Sequence, residues 1–260
     1  MIKVPMDEKS RTSSDLFDNQ IALVTGGSRG IGRAICKMLA ENGATVAVNY
    51  AENKQAASET LALVKSAGAQ GIIVQADVSH EEEVEKMVSE VRSRLGAVQL
   101  LVNNAGMADN APHEEVKFAN WKRMFEVNVD GPFLTTWAVK NDMIEGGYGR
   151  IVNISSLAAM VLKKTMIPYA TTKAAVVAFT RHCSEALAPH NVRVNCLAPG
   201  LTDTEMGRSA NPNMVDQLVA ITPLGRMAAP EEMASVVKFL LSEESSFITG
   251  QTIVACGGRS

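Results

Sequence analysis

Short apolar runs alternate with amphipathic stretches almost to the end of the chain. Residues 21–25, 45–49, 71–75, 100–103, 150–154, 192–197 and 252–255 read as strands. Between them, apolar positions recur at helical spacing over 31–42, 54–67, 82–95, 121–143, 169–188 and 231–241. Gly43, Gly68 and Gly96 stop the first three helices, and Pro189 ends the fifth near its last turn. Ser79 stands where an N-cap belongs, ahead of a first turn rich in glutamate. Residues 202–224 carry Gly207, Pro212 and Pro223 among polar positions and read as a loose excursion, a lid.

Alternating strands and helices predict a parallel sheet with helices on both faces. The strands are continuous apolar runs, as burial on both faces requires. An open, doubly wound Rossmann-type sheet and a closed eight-stranded barrel compete, and seven strands favour the open sheet. No repeat or linker divides the chain, so one domain is expected over 19–260, with residues 1–18 as a polar N-terminal extension anchored only near Leu16 and Phe17.

Composition narrows the function classes. Of 260 residues, 46% are hydrophobic and 20% charged, enough for a core without metal or disulfide staples. A net charge of −3 and no clustered basic stretch argue against a nucleic-acid surface. Cys36, Cys183, Cys196 and Cys256 lie apart in apolar or helical runs and read as free thiols of a reducing compartment. The four histidines show no metal spacing. No apolar run reaches the roughly 18 residues of a membrane span. The polar first residues do not read as a signal peptide, so the expected location is the cytoplasm.

Thr25-Gly-Gly-Ser-Arg-Gly-Ile-Gly32 lies between the first strand and the first helix. Backbone N–H groups and the helix dipole favour an anion there, such as a dinucleotide pyrophosphate. Gly26 would permit the tight turn, Gly30 the approach of phosphate, and Gly32 close packing of helix on strand. Gly26, Ser28, Arg29, Gly30, Ile31 and Gly32 are the candidate phosphate residues. The second strand ends in Asn49-Tyr50-Ala51, without the carboxylate that would bind the ribose 2′-hydroxyl of NAD. Arg29 offers a partner for the 2′-phosphate of NADP, although Glu52 lies close by.

Tyr169 and Lys173 are four apart and share one helix face. A neighbouring ammonium favours the phenolate and brings tyrosine toward useful acid–base chemistry. Ser156 follows the fifth strand, where open α/β sheets bind ligands, and its hydroxyl suits an oxyanion donor. Ser155 is its rival. Asn128 falls inside a predicted helix, where asparagine is a mediocre former.

These motifs, in this order, resemble the short-chain dehydrogenase/reductase superfamily from Gln20 to Gly258, and most of all its 3-oxoacyl-[acyl-carrier-protein] reductase group. The resemblance rests on the Gly-x-x-x-Gly-x-Gly loop, Asp77, Asn103-Asn104-Ala105-Gly106, the tetrad Asn128, Ser156, Tyr169 and Lys173, and Pro199-Gly200-Leu201-Thr202-Asp203-Thr204. It implies hydride transfer between a ketone and a secondary alcohol, with NADP(H) preferred over NAD(H). Tyr169 would be the acid and base, Ser156 would bind the carbonyl oxygen, and Lys173 would tune Tyr169 and hold the nicotinamide ribose. Asn128 would position a water. It implies cofactor contacts at Asn49, Tyr50, Ala51, Asp77, Val78, Asn104, Ala105, Gly106, Pro199, Gly200, Thr202 and Thr204, and no metal.

Leu157, Met160, Met166 and Ile167, with Met206 and Met214 of the lid, are the expected substrate wall. The chain departs from the reductase group at Gly147 and His190, where arginines that grip the carrier protein are usual. It also lacks the aspartate or asparagine before Gly257-Gly258. A free carbonyl substrate is therefore preferred to a carrier-bound one. The helices over 121–143 and 169–188 imply a homotetramer. A non-catalytic NADP-binding regulator is the competing class, which the complete tetrad disfavours. A sugar-nucleotide epimerase would need a larger C-terminal region.

Overall fold

The computed structural model describes residues 16–208 and 212–259, the side chains of 212–214 excepted. Seven strands form one parallel sheet: β1 (Ile21–Val24), β2 (Thr45–Tyr50), β3 (Gly71–Gln75), β4 (Leu100–Asn103), β5 (Gly149–Ile154), β6 (Val192–Pro199) and β7 (Thr252–Ala255). Their spatial order is β3-β2-β1-β4-β5-β6-β7, every neighbouring pair parallel. The open Rossmann sheet is confirmed and the barrel excluded.

Alternate strand residues feed two cores. Ala22, Val24, Val46, Val48, Leu100, Val102 and Val152 pack under α1 (Gly30–Glu41), α2 (Lys54–Ser66) and α9 (Pro230–Leu241), which contribute Ile35, Leu39, Val64, Val237 and Leu240. Leu23, Ala47, Leu101 and Ile151 face α3 (Glu81–Arg94), α5 (Gly131–Glu145) and α6 (Ile167–Leu187), through Met87, Val91, Val139, Met143 and Leu187. Each large side chain so buried is worth ~1.5–3 kcal/mol of transfer free energy. Phe17 joins the first core and its N–H bonds Asn42 O at 2.8 Å, which anchors the chain ahead of β1. Residues 1–15 of the expected extension, and the Met214 side chain, lie outside the described residues.

Chain order reverses between β1 and β4, and the loops after these strands open a crevice at their carboxyl ends. A buried polar ladder stiffens the floor beneath it. Asn103 Nδ2 donates to Asn153 Oδ1 at 2.8 Å, Asn153 Nδ2 to Thr180 Oγ1 at 2.9 Å, and Thr135 Oγ1 to Asn103 Oδ1 at 2.6 Å. The ladder ties β4 and β5 to α5 and α6.

Three local expectations are corrected. The helix expected over 121–143 is α4 (Phe118–Phe125), a π turn (Glu126–Asp130) and α5, because one turn widens to turn Asn128 inward. Ser79 is not the N-cap of α3. His80 is, without a side-chain cap, and the Ser79 hydroxyl donates to Asp77 Oδ1 at 2.7 Å instead. The excursion holds two helices, α7 (Glu205–Arg208) and α8 (Pro212–Ala220), the latter opened by a proline whose missing N–H costs nothing there.

Candidate active site

The glycine loop is built for close approach. Gly26 and Gly30 have φ of +59° and +53°, which side chains disfavour. A Cβ on Gly26 would stand 2.9 Å from Ala105 Cα, and one on Gly30 3.1 Å from Thr204 Cγ2 of the lid base. Gly32 corrects the expected reason for that glycine. A Cβ there would strike the Gly26 carbonyl and reach 2.6 Å from Asn104 Nδ2, so Gly32 packs on the loop itself rather than on a strand. Asn104 Nδ2 donates to Thr25 O and Gly26 O, both at 3.0 Å, and the Thr25 hydroxyl accepts from the Asn104 and Ala105 N–H groups. Arg29, the residue ahead of α1, is extended and gives no side-chain cap. First-turn N–H groups of a twelve-residue helix thus lack that cap beside a cradle that any Cβ would fill. This donor set fits a pyrophosphate.

The residues expected around the adenosine are unevenly placed. Asn49 is buried and spends its amide on the protein: Oδ1 accepts from Gly26 N at 3.1 Å and Nδ2 donates to Ala76 O at 3.0 Å. It shapes the loop from behind. Tyr50 is buried and Ala51 exposed. Asp77 accepts from Arg123 Nη2 at 2.6 Å and from the Ser79 hydroxyl. Burial works against its carboxylate, but the Ser79 and Arg123 hydrogen bonds outweigh it and hold Asp77 below the usual range. Val78 packs where a Cβ on Gly131 would stand, 2.7 Å away, at the start of α5.

The tetrad converges on the crevice from three elements. Ser156 follows β5, Tyr169 and Lys173 lie on the first turns of α6, and Asn128 sits in the π turn. The Ser156 hydroxyl stands near enough to the Tyr169 phenol to favour its phenolate. The Ser156 oxygen also accepts from Ala158 N at 3.1 Å, whereas Ser155 is buried and donates to Lys173 O at 2.7 Å. This separates the two serines, since only Ser156 meets the tyrosine. Lys173 Nζ donates to Ile154 O at 2.9 Å and lies 5.8 Å from the Tyr169 ring centroid. A Cβ on Gly106 would stand 3.2 Å from Asn128 Oδ1 and 3.3 Å from Lys173 Nζ, so glycine there leaves the space before both groups open. Asn128 Oδ1 accepts from Met107 N, and its Nδ2 donates to Met107 O and to Thr172 Oγ1. Its side chain pins the loop after β4 to α6, and all its amide atoms are engaged by protein.

The electrostatics correct one expectation. Burial raises the Tyr169 phenol above the ordinary tyrosine value, and the Ser156 hydroxyl offsets this only in part. The ammonium does not lower it in the protein alone. Burial in turn brings Lys173 down from 10.5 to about 8. Between those values the unfolded chain holds a proton at residue 173 that the folded chain has lost, so Lys173 makes stability rise with pH through that window. Lys173→Met is expected to remove that part of the rise, read as Tm against pH without cofactor.

The lid base closes one wall. Pro199 ends β6, Gly200 runs against Cys256, with a Cβ there 2.7 Å from Cys256 Cα, and the buried Thr202 donates to Gly200 O. Thr204 stands where a Cβ on Gly30 would crowd it, and its hydroxyl accepts from Gly207 N. Of the expected substrate residues, Met160, Ile167 and Met206 are exposed and Met166 packs partly against Tyr169. Leu157 is buried at 5% exposure and belongs to the core under the site. Sequence reasoning missed Thr25, Thr172, Arg123 and Glu205, whose partners are distant in sequence. It also missed Leu162 and Leu224, both highly exposed. Cys36, Cys183 and Cys196 are buried free thiols, as expected, and Cys256 is half-buried.

A doubly wound parallel sheet, a glycine loop ahead of α1 and a Ser–Tyr–Lys cluster at the strand ends define a nucleotide-dependent dehydrogenase architecture. The family model for short chain dehydrogenases matches residues 20–215, and the chain belongs to that family. An uncharacterized oxidoreductase of Methylorubrum extorquens is 41% identical, covering 93% of this chain and 98% of that protein. A 3-oxoacyl-[acyl-carrier-protein] reductase of Synechocystis is 37% identical over 92% of this chain and 96% of its own. Among solved structures, a gluconate 5-dehydrogenase from Burkholderia cenocepacia in complex with NADP and tartrate superposes with a TM-score of 0.88. It shares 34% identity and covers 95% of this chain and 98% of its own. The protein is an oxidoreductase acting on CH–OH groups, within the branch that resembles the 3-oxoacyl reductases.

Proposed function

We propose that the chain interconverts a ketone and a secondary alcohol with NADP(H), using Tyr169 as acid and base. The observation that carries this reading is the convergence of Ser156, Tyr169 and Lys173 beside the glycine loop, with Gly106 leaving the space before Lys173 and Asn128 open. The bound nicotinamide supplies or accepts the hydride. In reduction the Tyr169 hydroxyl gives its proton to the carbonyl oxygen, and in oxidation the phenolate takes it back. Ser156 donates a hydrogen bond to the same oxygen and stabilises the charge that develops there. Lys173 would hold the ribose hydroxyls and, once charged, oppose the burial that keeps the phenol protonated. Asn128 fixes the loop at Met107 and so the position of α6. The fully buried lysine makes the proton transfer sensitive to pH near 8.

NADP(H) is preferred on three grounds: Arg29 in the glycine loop, no carboxylate over Asn49–Ala51, and the NADP held by the Burkholderia relative. The substrate is a free carbonyl compound held against Met160, Ile167 and Met206. The curated relatives named 3-oxoacyl-[acyl-carrier-protein] reductase favour a second reading, a 3-oxoacyl thioester. Exposed Phe133 and Trp137 stack on α5 at 4.4 Å between centroids, with Phe179 of α6 at their side, and support a homotetramer built on these helices. No helix among the described residues is long and apolar enough to cross a membrane, and a cytoplasmic enzyme is the proposed setting. The test is NADPH and NADH oxidation against ketones, diketones, quinones and 3-oxoacyl thioesters. Turnover with NADPH and one carbonyl class is expected. Tight NADPH binding with no turnover on any class would favour the regulator.

A further inference from the structure

The guanidinium expected to meet a 2′-phosphate is already engaged. Arg29 Nη1 lies 2.5 Å from Glu205 Oε2, the first residue of the lid helix α7, 176 positions away in sequence. Below it, a Cβ on Gly30 would stand 3.1 Å from Thr204 Cγ2, so the lid base lies close over the glycine loop as well as pairing with it. Both charges border one groove of about 570 Å³, which runs between α1 and α2 and is also lined by Arg33, Asn53 and Glu59. Arg33 is spent on its surroundings: it donates to Ser28 O, Ala56 O and Glu59. Lys37, one turn further, pairs with Glu41. Of the three cations along this edge of α1, Arg29 is the one whose partner belongs to the lid.

We propose that Glu205 is a cofactor-specificity residue, competing with the 2′-phosphate of NADP for Arg29 and so coupling the lid to which nicotinamide nucleotide is bound. This rests on the NADP reading above. A carboxylate and a phosphate ester cannot share one guanidinium without like-charge repulsion, so binding of the 2′-phosphate releases Glu205. NAD has a hydroxyl at that position and leaves the pair intact. By linkage, the lid state that keeps the pair binds NADPH less tightly, and NADPH in turn favours the state that gives it up. Both side chains are more than half exposed, so the pair is weak and the competition modest, which suits a device that tunes rather than blocks.

The test is a titration of the whole protein with NADPH and with NADH, read by nucleotide fluorescence without substrate. In Glu205→Gln the preference for NADPH over NADH should rise ~1.5–5-fold, the range expected of an exposed ion pair. In Arg29→Gln the preference should fall, and adding Glu205→Gln to that background should change it no further, because the competed group is gone. An equal change for both nucleotides in Glu205→Gln, or the same rise with and without Arg29, would overturn the proposal. Failure of the NADP reading is seen separately: the wild-type protein would then bind NADH as tightly as NADPH, and Arg29→Gln would leave that ratio unmoved.

Discussion

Replacing Tyr169 with phenylalanine is expected to lower turnover by ~10²–10⁴-fold while NADPH still binds. The ring packs with Met124 and Ala158 and stays in place when the hydroxyl goes, so folding is little affected. What is lost is the proton donor, beside which the Ser156 hydroxyl stands. The oxygen it serves then has only the Ser156 hydroxyl, which stabilises charge but does not complete the reaction. Steady-state rates with a responsive carbonyl, alongside NADPH titration, separate the two effects. Near-wild-type rates would remove Tyr169 from the chemistry, and loss of NADPH binding would make its role structural.

Replacing Gly32 with alanine is expected to weaken NADPH binding at least tenfold and to cost ~1–3 kcal/mol of stability. The new methyl group meets the Gly26 carbonyl and Asn104 Nδ2, neither of which is the free end of a flexible chain. Asn104 is held there by Thr25 O and Gly26 O, so moving it opens the clamp that joins the glycine loop to the end of β4. The same change at Gly68, which faces open space, leaves the nucleotide site alone and costs only its φ of +85°. Thermal unfolding and nucleotide titration of the two variants distinguish loss of the cradle from a general loss of stability.

Much of this was legible in the residues. The apolar runs named all seven strands because a sheet buried on both faces demands them, as Leu100–Asn103 shows with every residue buried. The glycine loop and the Tyr169–Lys173 spacing are local patterns, and local patterns survive in sequence. The π turn does not. One extra residue in the turn at Glu126–Asp130 leaves the apolar period nearly unchanged, although Asn128 marked the place. The lid helices were hidden because Gly207 and Pro212 read as breakers, whereas Pro212 begins a helix. Arg123–Asp77 and Arg29–Glu205 join charged residues 46 and 176 positions apart, and nothing periodic announces such pairs. Nor does the spacing of Tyr169 and Lys173 reveal that burial, not the ammonium, dominates the phenol in the protein alone.

The central claim is hydride transfer at the carbon whose oxygen Tyr169 serves. Its most direct test is NADPH deuterated at the transferable C4 position, incubated with a carbonyl substrate found in the panel. One deuterium on the carbinol carbon of the product, accumulating ~10²–10⁴-fold more slowly when Tyr169→Phe is used, is the predicted result. An alcohol formed without deuterium from either C4 face would contradict the account, because reduction would then proceed by a route that bypasses this site.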